Sequence, residues 1–216
     1  MSTNGNNKIS LPVINRLPRY YRTVRKMQHN GVTTVSSSEL AGMLGTTASQ
    51  VRQDFNCFGG FGQQGVGYNV DLLSTELESL LMGGDALSTI VIGTGRLGRA
   101  ISHFLAFDAR GFRLIAAFDQ HPDEVGSSFG ILTVRNINTL GDYCRRYHPQ
   151  IAVLCIPEEG AAQLAPTLMD LGIRGFWNFS NYDLPSREGV TIVSVHLGDS
   201  LTSLGFRVRE SLENNP

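Results

Sequence analysis

The hexapeptide Gly93-Thr94-Gly95-Arg96-Leu97-Gly98 constrains this chain more than any other feature, because each of its glycines answers a different steric demand. Gly93 permits a sharp bend, and Gly95 lets backbone N–H groups approach a pyrophosphate. Gly98 lets the following helix lie close on the preceding strand, with its positive end aimed at the phosphates. The surroundings match: the apolar run Leu87–Ile92 precedes the loop and Ala100–Leu105 follows it, giving strand, turn and helix in the order such a site requires. A second apolar run, Arg113–Phe118, ends in Asp119, twenty-one residues past Gly98. That is close to the spacing of an acid that accepts from ribose hydroxyls and repels a 2′-phosphate. The pattern predicts an NAD(H) site on Gly93, Thr94, Gly95, Arg96, Leu97, Gly98 and Asp119. A chance glycine-rich turn explains the glycines but neither the strand, the helix nor the acid.

The loop does not open the chain, and what precedes it is chemically different. Residues 1–70 hold seven Lys or Arg against two acids, a net +5, which leaves −6 for the remainder of a chain whose overall charge is −1. A basic front on an acidic body suits an anionic partner, most commonly nucleic acid. A solvated basic helix face is the alternative.

The spacing of Leu17, Tyr21 and Val24 predicts a helix over 16–29, with Pro18 tolerated in its first turn. Ser36-Ser37-Ser38-Glu39 fits a capping box opening a short helix that Gly45 stops, and Thr47-Ala48-Ser49-Gln50 fits a second box. In the helix after Thr47, Ala48, Val51 and Phe55 face inward, leaving Ser49, Gln50, Arg52, Gln53 and Asn56 outside. Amides, a hydroxyl and an arginine make a surface suited to base edges and phosphates. Two short helices at a tight turn form a helix-turn-helix, and the glycine-rich Phe58–Tyr68 segment reads as a hairpin wing. The candidate contacts to double-stranded, palindromic operator DNA are Arg16, Ser36, Thr47, Ser49, Gln50, Arg52 and Gln53. Gln63, Gln64, Gly65 and Tyr68 join them from the wing. A helical protein-interaction domain with a flexible loop is the competing reading.

Val70–Met82 predicts a connecting helix with Leu72, Leu73, Leu77, Leu80 and Leu81 on a broad apolar side, broken at Gly83-Gly84. Strands expected over 132–134, 151–156, 173–179 and 190–195 alternate with helices, which implies a doubly wound, mainly parallel sheet of Rossmann type. Ligands of such sheets sit at the carboxyl ends of strands, so Ile156, Pro157, Asn178 and Phe179 become candidates to line the nicotinamide half. In the tail, Leu197, Leu201, Leu204, Val208 and Leu212 form a narrow apolar seam that folds back on its own domain or packs on a second subunit. The expected division is therefore a winged-helix DNA-binding domain over 1–83, a dinucleotide domain over 84–195 and a dimerisation helix over 196–216. The three cysteines are odd in number and lack metal-ligand spacing, and no apolar run spans a membrane, so a cytoplasmic, non-membrane protein is expected.

The winged-helix segment, the wing Gly60–Tyr68, the GTGRLG loop, Phe118-Asp119 and Gly172–Phe179 together resemble the Rex family of redox-sensing transcriptional repressors over nearly the whole chain. The resemblance implies a homodimer that exchanges its C-terminal helix, binds operator DNA when NAD+ prevails and releases it when NADH rises. Family members commonly carry Asp where this chain has His196, an acid that pairs with the arginine corresponding to Arg16. Some also have Tyr at Phe104 and an aromatic at Leu197. These departures predict a weaker or altered NADH response. An NAD-dependent dehydrogenase with an extra N-terminal module is disfavoured, since Lys8 and Lys26 are the only lysines and no histidine past residue 100 has an obvious acid-base partner in the sequence. A winged-helix scaffold with a vestigial dinucleotide fold is the third possibility, and it predicts no NADH binding.

Overall fold

The computed structural model describes residues 9–59, 62–63, 67–107, 109–130 and 132–214. It divides into two compact units, Met1–Gly84 and Asp85–Pro216, so residues 196–216 group with the second.

In the first unit, α1 (Leu11–His29) places Val13, Leu17, Tyr20, Val24 and Met27 on one face at helical spacing and buries all five. The helix starts five residues before the expected Arg16, so Pro18 lies inside it rather than in its first turn. α2 (Ser37–Leu44) opens on the expected capping box: Ser36 Oγ accepts from Glu39 N, and the Glu39 carboxylate accepts from Ser36 N. Gly45, at φ +61°, ends it in the left-handed conformation that glycine adopts without strain. α3 (Ala48–Asn56) is capped by Thr47, whose hydroxyl accepts from Gln50 N. A three-stranded sheet of order β1-β3-β2 follows from β1 (Thr34–Val35), β2 (Gly62–Gln63) and β3 (Gly67–Asn69). α4 (Val70–Met82) turns Val70, Leu73 and Leu77 inward, while Leu72 and Leu80 are exposed, narrowing the apolar side expected for it.

The second unit is built on β4 (Leu87–Ile92), β5 (Phe112–Asp119), β7 (Leu132–Asn136), β8 (Ile151–Leu154), β9 (Gly175–Asn178) and β10 (Thr191–Ser194). β6 (Ser128–Phe129) pairs antiparallel at one edge. The sheet order is β10-β9-β8-β4-β5-β7-β6. Read from β4 outward, the six parallel strands take the 3-2-1-4-5-6 order of a dinucleotide fold. Central strands covered on both faces must be apolar throughout, and Ile90-Val91-Ile92 and Ala152-Val153-Leu154 are fully buried in keeping with that. α5 (Arg96–Phe107), α6 (Leu140–Tyr147) and α7 (Glu158–Asp170) complete the alternation, and α8 (Leu197–Asn214) ends it. α8 buries none of its residues: Leu197, Leu201, Leu204, Val208 and Leu212 are all exposed, so the seam does not fold back on its own chain.

Candidate functional site

Strand order reverses between β4 and β8, and the glycine loop leaves β4 at that point. Each glycine has a measurable reason. Gly93 has φ +91°, and a Cβ there would lie 2.3 Å from Cys155 O and 2.8 Å from Ile156 Cγ2, which places the end of β8 against the loop. At Gly98 a Cβ would lie 1.8 Å from Gly93 O, so helix α5 starts this close to the strand only because the position is glycine. Gly95 meets nothing within 4 Å. Two glycines are therefore demanded by the protein's own packing, and the third opens a space at the N-terminal end of α5. That cradle fits the pyrophosphate of a dinucleotide.

Asp119 closes the loop from the other side. Its Oδ2 accepts from Thr94 N at 2.6 Å and Thr94 Oγ1 at 2.9 Å, and Oδ1 accepts from His121 N at 3.0 Å. It is 7% exposed, and burial alone would raise its pKa. The bonds from His121, Thr94 and Gln120 outweigh burial and hold the carboxyl below its ordinary range. The acid read from spacing as a ribose ligand thus also clamps the loop that carries Thr94. Beside it, Arg99 pairs with Glu124 and lies over the Phe129 ring.

Ile156 and Pro157 follow β8, and a Cβ at Gly93 would press on Ile156. Phe179 follows β9, with its ring 4.8 Å from that of Trp177, and Phe104 meets Trp177 edge-on at 6.3 Å. Asn178 requires a correction. It is 0% exposed: its Nδ2 donates to Tyr182 O and Ser194 Oγ, and its Oδ1 accepts from Ser180 N and Oγ. The amide is fully spent holding the β9 turn, and no part of it lines a cleft.

In the first unit, α3 exposes Ser49, Arg52, Gln53 and Asn56, with Gln50 half-buried, and Thr47 and Ser36 stand at the helix starts. Arg52 Nη1 donates to Ser37 Oγ at 2.9 Å, tying the two helices of the turn together. Gln50 does not reach back to complete a capping box; its Nε2 donates to Asp54 Oδ1 at 2.8 Å. Asp54 is the residue the sequence reading missed. It is 1% exposed and also accepts from Arg16 Nε at 2.6 Å, Arg16 Nη2 at 2.7 Å and the Tyr20 hydroxyl at 2.8 Å. Burial on its own would raise its pKa, but the bonds from Arg16, Tyr20 and Gln50 bring it below the ordinary carboxylate range. Burial, followed by the bond to Asp54, raises the Tyr20 hydroxyl far above its usual value.

Of two expected DNA contacts, this geometry engages Arg16 within the domain and corrects Tyr68. Arg16 makes a two-pronged pair with Asp54 through Nε and Nη2, while its side chain stays 36% exposed. Tyr68 is buried, its ring 5.0 Å edge-on to Phe55, where it anchors the wing to α3 instead of reaching a groove. Gln63 lies on β2, and Gln64 and Gly65 fall outside the described residues.

The two units define a class: a helix-turn-helix with a β-sheet wing, joined in one chain to a dinucleotide-type doubly wound sheet. Residues 8–56 match a family model described as a putative DNA-binding protein N-terminus, and residues 85–182 match one described as a CoA binding domain. The redox-sensing transcriptional repressor Rex of Caldicellulosiruptor saccharolyticus is 41% identical over 94% of this chain and 93% of its own. That of Thermoanaerobacter pseudethanolicus is 43% identical over 94% and 91%. A crystal structure of RSP in complex with beta-NADH superposes with a TM-score of 0.86 at 39% identity, covering 94% of this chain and 95% of that one. RSP with beta-NAD+ and operator DNA gives 0.87 at 41% identity, covering 94% of both. The chain belongs to the Rex family of redox-sensing transcriptional repressors, which are DNA-binding regulators rather than enzymes. Among the described residues no helix is long and apolar enough to cross a membrane, and no cluster of His, Cys, Asp or Glu has the makings of a metal site.

Proposed function

We propose that this chain is a cytoplasmic, homodimeric repressor that holds operator DNA through α3 and the wing, grips NAD(H) at the glycine loop, and releases DNA when NADH binds. The observation that carries this reading is the open cradle at Gly95, at the reversal of strand order, in a chain whose first unit presents a polar recognition face. The relatives solved with NADH, and with NAD+ and operator DNA, support it. The exposed seam of α8 supports a dimer through that helix, since five large apolar side chains at helical spacing require a covering surface. A two-fold dimer suits a palindromic site.

Sensing requires unequal binding of the two redox forms to two conformations. NADH carries a neutral reduced ring and NAD+ a charged one, so apolar surroundings built from Phe104, Pro157 and Leu197 favour NADH. Coupling of about 1–3 kcal/mol changes DNA affinity by roughly 5- to 150-fold.

A second reading, altered coupling, is favoured by one observation. Position 196 carries histidine instead of an acid, and Arg16 is already paired with Asp54 in its own domain. Both readings are tested by binding to a palindromic operator duplex with NAD+ or NADH added at one fixed salt concentration. Release by NADH alone is expected. A full, sensitive release like that of other Rex proteins removes the altered-coupling reading, and indifference to both dinucleotides removes the sensor.

A further inference from the structure

The Asp54 cluster decides which way one side chain of α3 points. An ionised carboxylate only accepts hydrogen bonds, so the Gln50 amide that meets it at 2.8 Å has one admissible orientation. Its nitrogen faces Asp54, and its Oε1 is turned away from the carboxylate. Asp54 itself is held by three bonds from Arg16 and Tyr20 on α1. Gln50 therefore does not share the rotational freedom of Ser49 and Gln53 on the exposed face of the same helix.

The geometry points to Asp54 as a positioning residue that locks Gln50, so that the amide presents its carbonyl oxygen to the major groove. There it accepts from an exocyclic amino group, N6 of an adenine or N4 of a cytosine, at one base per half-site. This rests on the reading of α3 as the recognition helix. A freely rotating glutamine offers donor or acceptor indifferently and loses rotamer freedom on docking; a pinned one has lost it beforehand. The charges are arranged to permit this. A bare carboxylate on a DNA-facing helix repels phosphate, and the Arg16 guanidinium paired with it offsets that charge. Asp54 thereby acts through Gln50 without touching DNA.

Duplexes selected from a random pool by the wild-type full-length protein supply the probe. Replacing each adenine by purine, or each cytosine by 2-pyrimidinone, deletes one amino group at a time. One position per half-site is expected at which this deletion weakens wild-type binding by about fivefold or more, the worth of one good base contact. Asp54→Asn and Gln50→Met should both lose that sensitivity, and Asp54→Asn, which does not touch DNA, should still bind an unrelated duplex within about twofold of wild type because phosphate contacts are unchanged. An Asp54→Asn protein that keeps the sensitivity, or that weakens on every duplex equally, overturns the positioning role. Should circular dichroism show that Asp54→Asn does not fold, Tyr20→Phe removes one bond of the clamp and keeps the ring on Phe55. The ionised carboxylate and its Arg16 pair stay in place, so the sensitivity at that base should be kept, and its loss overturns the orientation of Gln50 by the carboxylate. Failure of the underlying reading has a different signature: Ser49→Ala, Gln50→Met and Gln53→Met would all leave every base preference intact.

Discussion

Among the described residues, each unit of this protein hides one carboxylate, and the two are kept charged by different means. Asp54 is met by a guanidinium, a phenol and a primary amide, all side chains, and it joins α1 to α3. Asp119 is met by the backbone N–H groups of Thr94 and His121 and by a hydroxyl, and it ties a loop to the end of its own strand. A strut between helices uses a counter-charge because it must hold distant elements together. A clamp on a loop uses fixed peptide dipoles, which leave the neighbourhood uncluttered for a ligand. The first arrangement serves rigidity, and the second serves access.

The largest test of this contrast is Asp54→Ala. It strands the Arg16 charge, the Tyr20 hydroxyl and the Gln50 amide together, and should cost about 3 kcal/mol, the low end for a broken buried pair because the arginine is partly solvated. Thermal melting followed by circular dichroism should show the loss, with NADH binding by the second unit retained. Equal damage to both activities would break the distinction between strut and clamp. Gly95→Ala comes next. Its Cβ enters open space, so the melting temperature should not move, while NADH affinity falls at least tenfold, about 1.4 kcal/mol, by calorimetry. A drop in melting temperature would mean that the cradle is part of the core. The smallest effect is that of acid. Both carboxyls titrate below their unfolded values, so their stabilisation is complete above about pH 4 and is lost as pH falls through their lowered folded values. Asp54→Asn and Asp119→Asn should each flatten part of the stability profile in that window, and a variant with an unaltered profile would exclude its carboxyl from the pair.

The sterically forced features were the legible ones. The glycine loop, the Ser36 capping box and the Val70–Met82 helix follow from local rules, and the structure returns them with the expected residues. What escaped were long-range polar pairings. Nothing local says that Arg16 meets an acid thirty-eight residues away or that Asn178 is consumed by its own turn. A signal for Asp54 did exist: it lies three residues after Val51 and beside Phe55, on the inward side of the helix, where an acid demands a partner. Arg16 and Tyr20, four apart on α1, were the available donors. Tyr68 was misjudged because a glycine-rich hairpin suggests exposure, whereas its ring, like that of Phe58 at the other end of the segment, packs against Phe55.

Cys155 lies directly under the glycine loop, and burial pushes its thiol up to about 12. A thiol held up in this way stays protonated at neutral pH, and the thiolate is the form that peroxides attack. The protonated thiol is the poorer nucleophile, so burial slows sulfenic acid formation beneath the loop. The same burial that seats the loop on β8 thus keeps the nearest sulfur in its less reactive form.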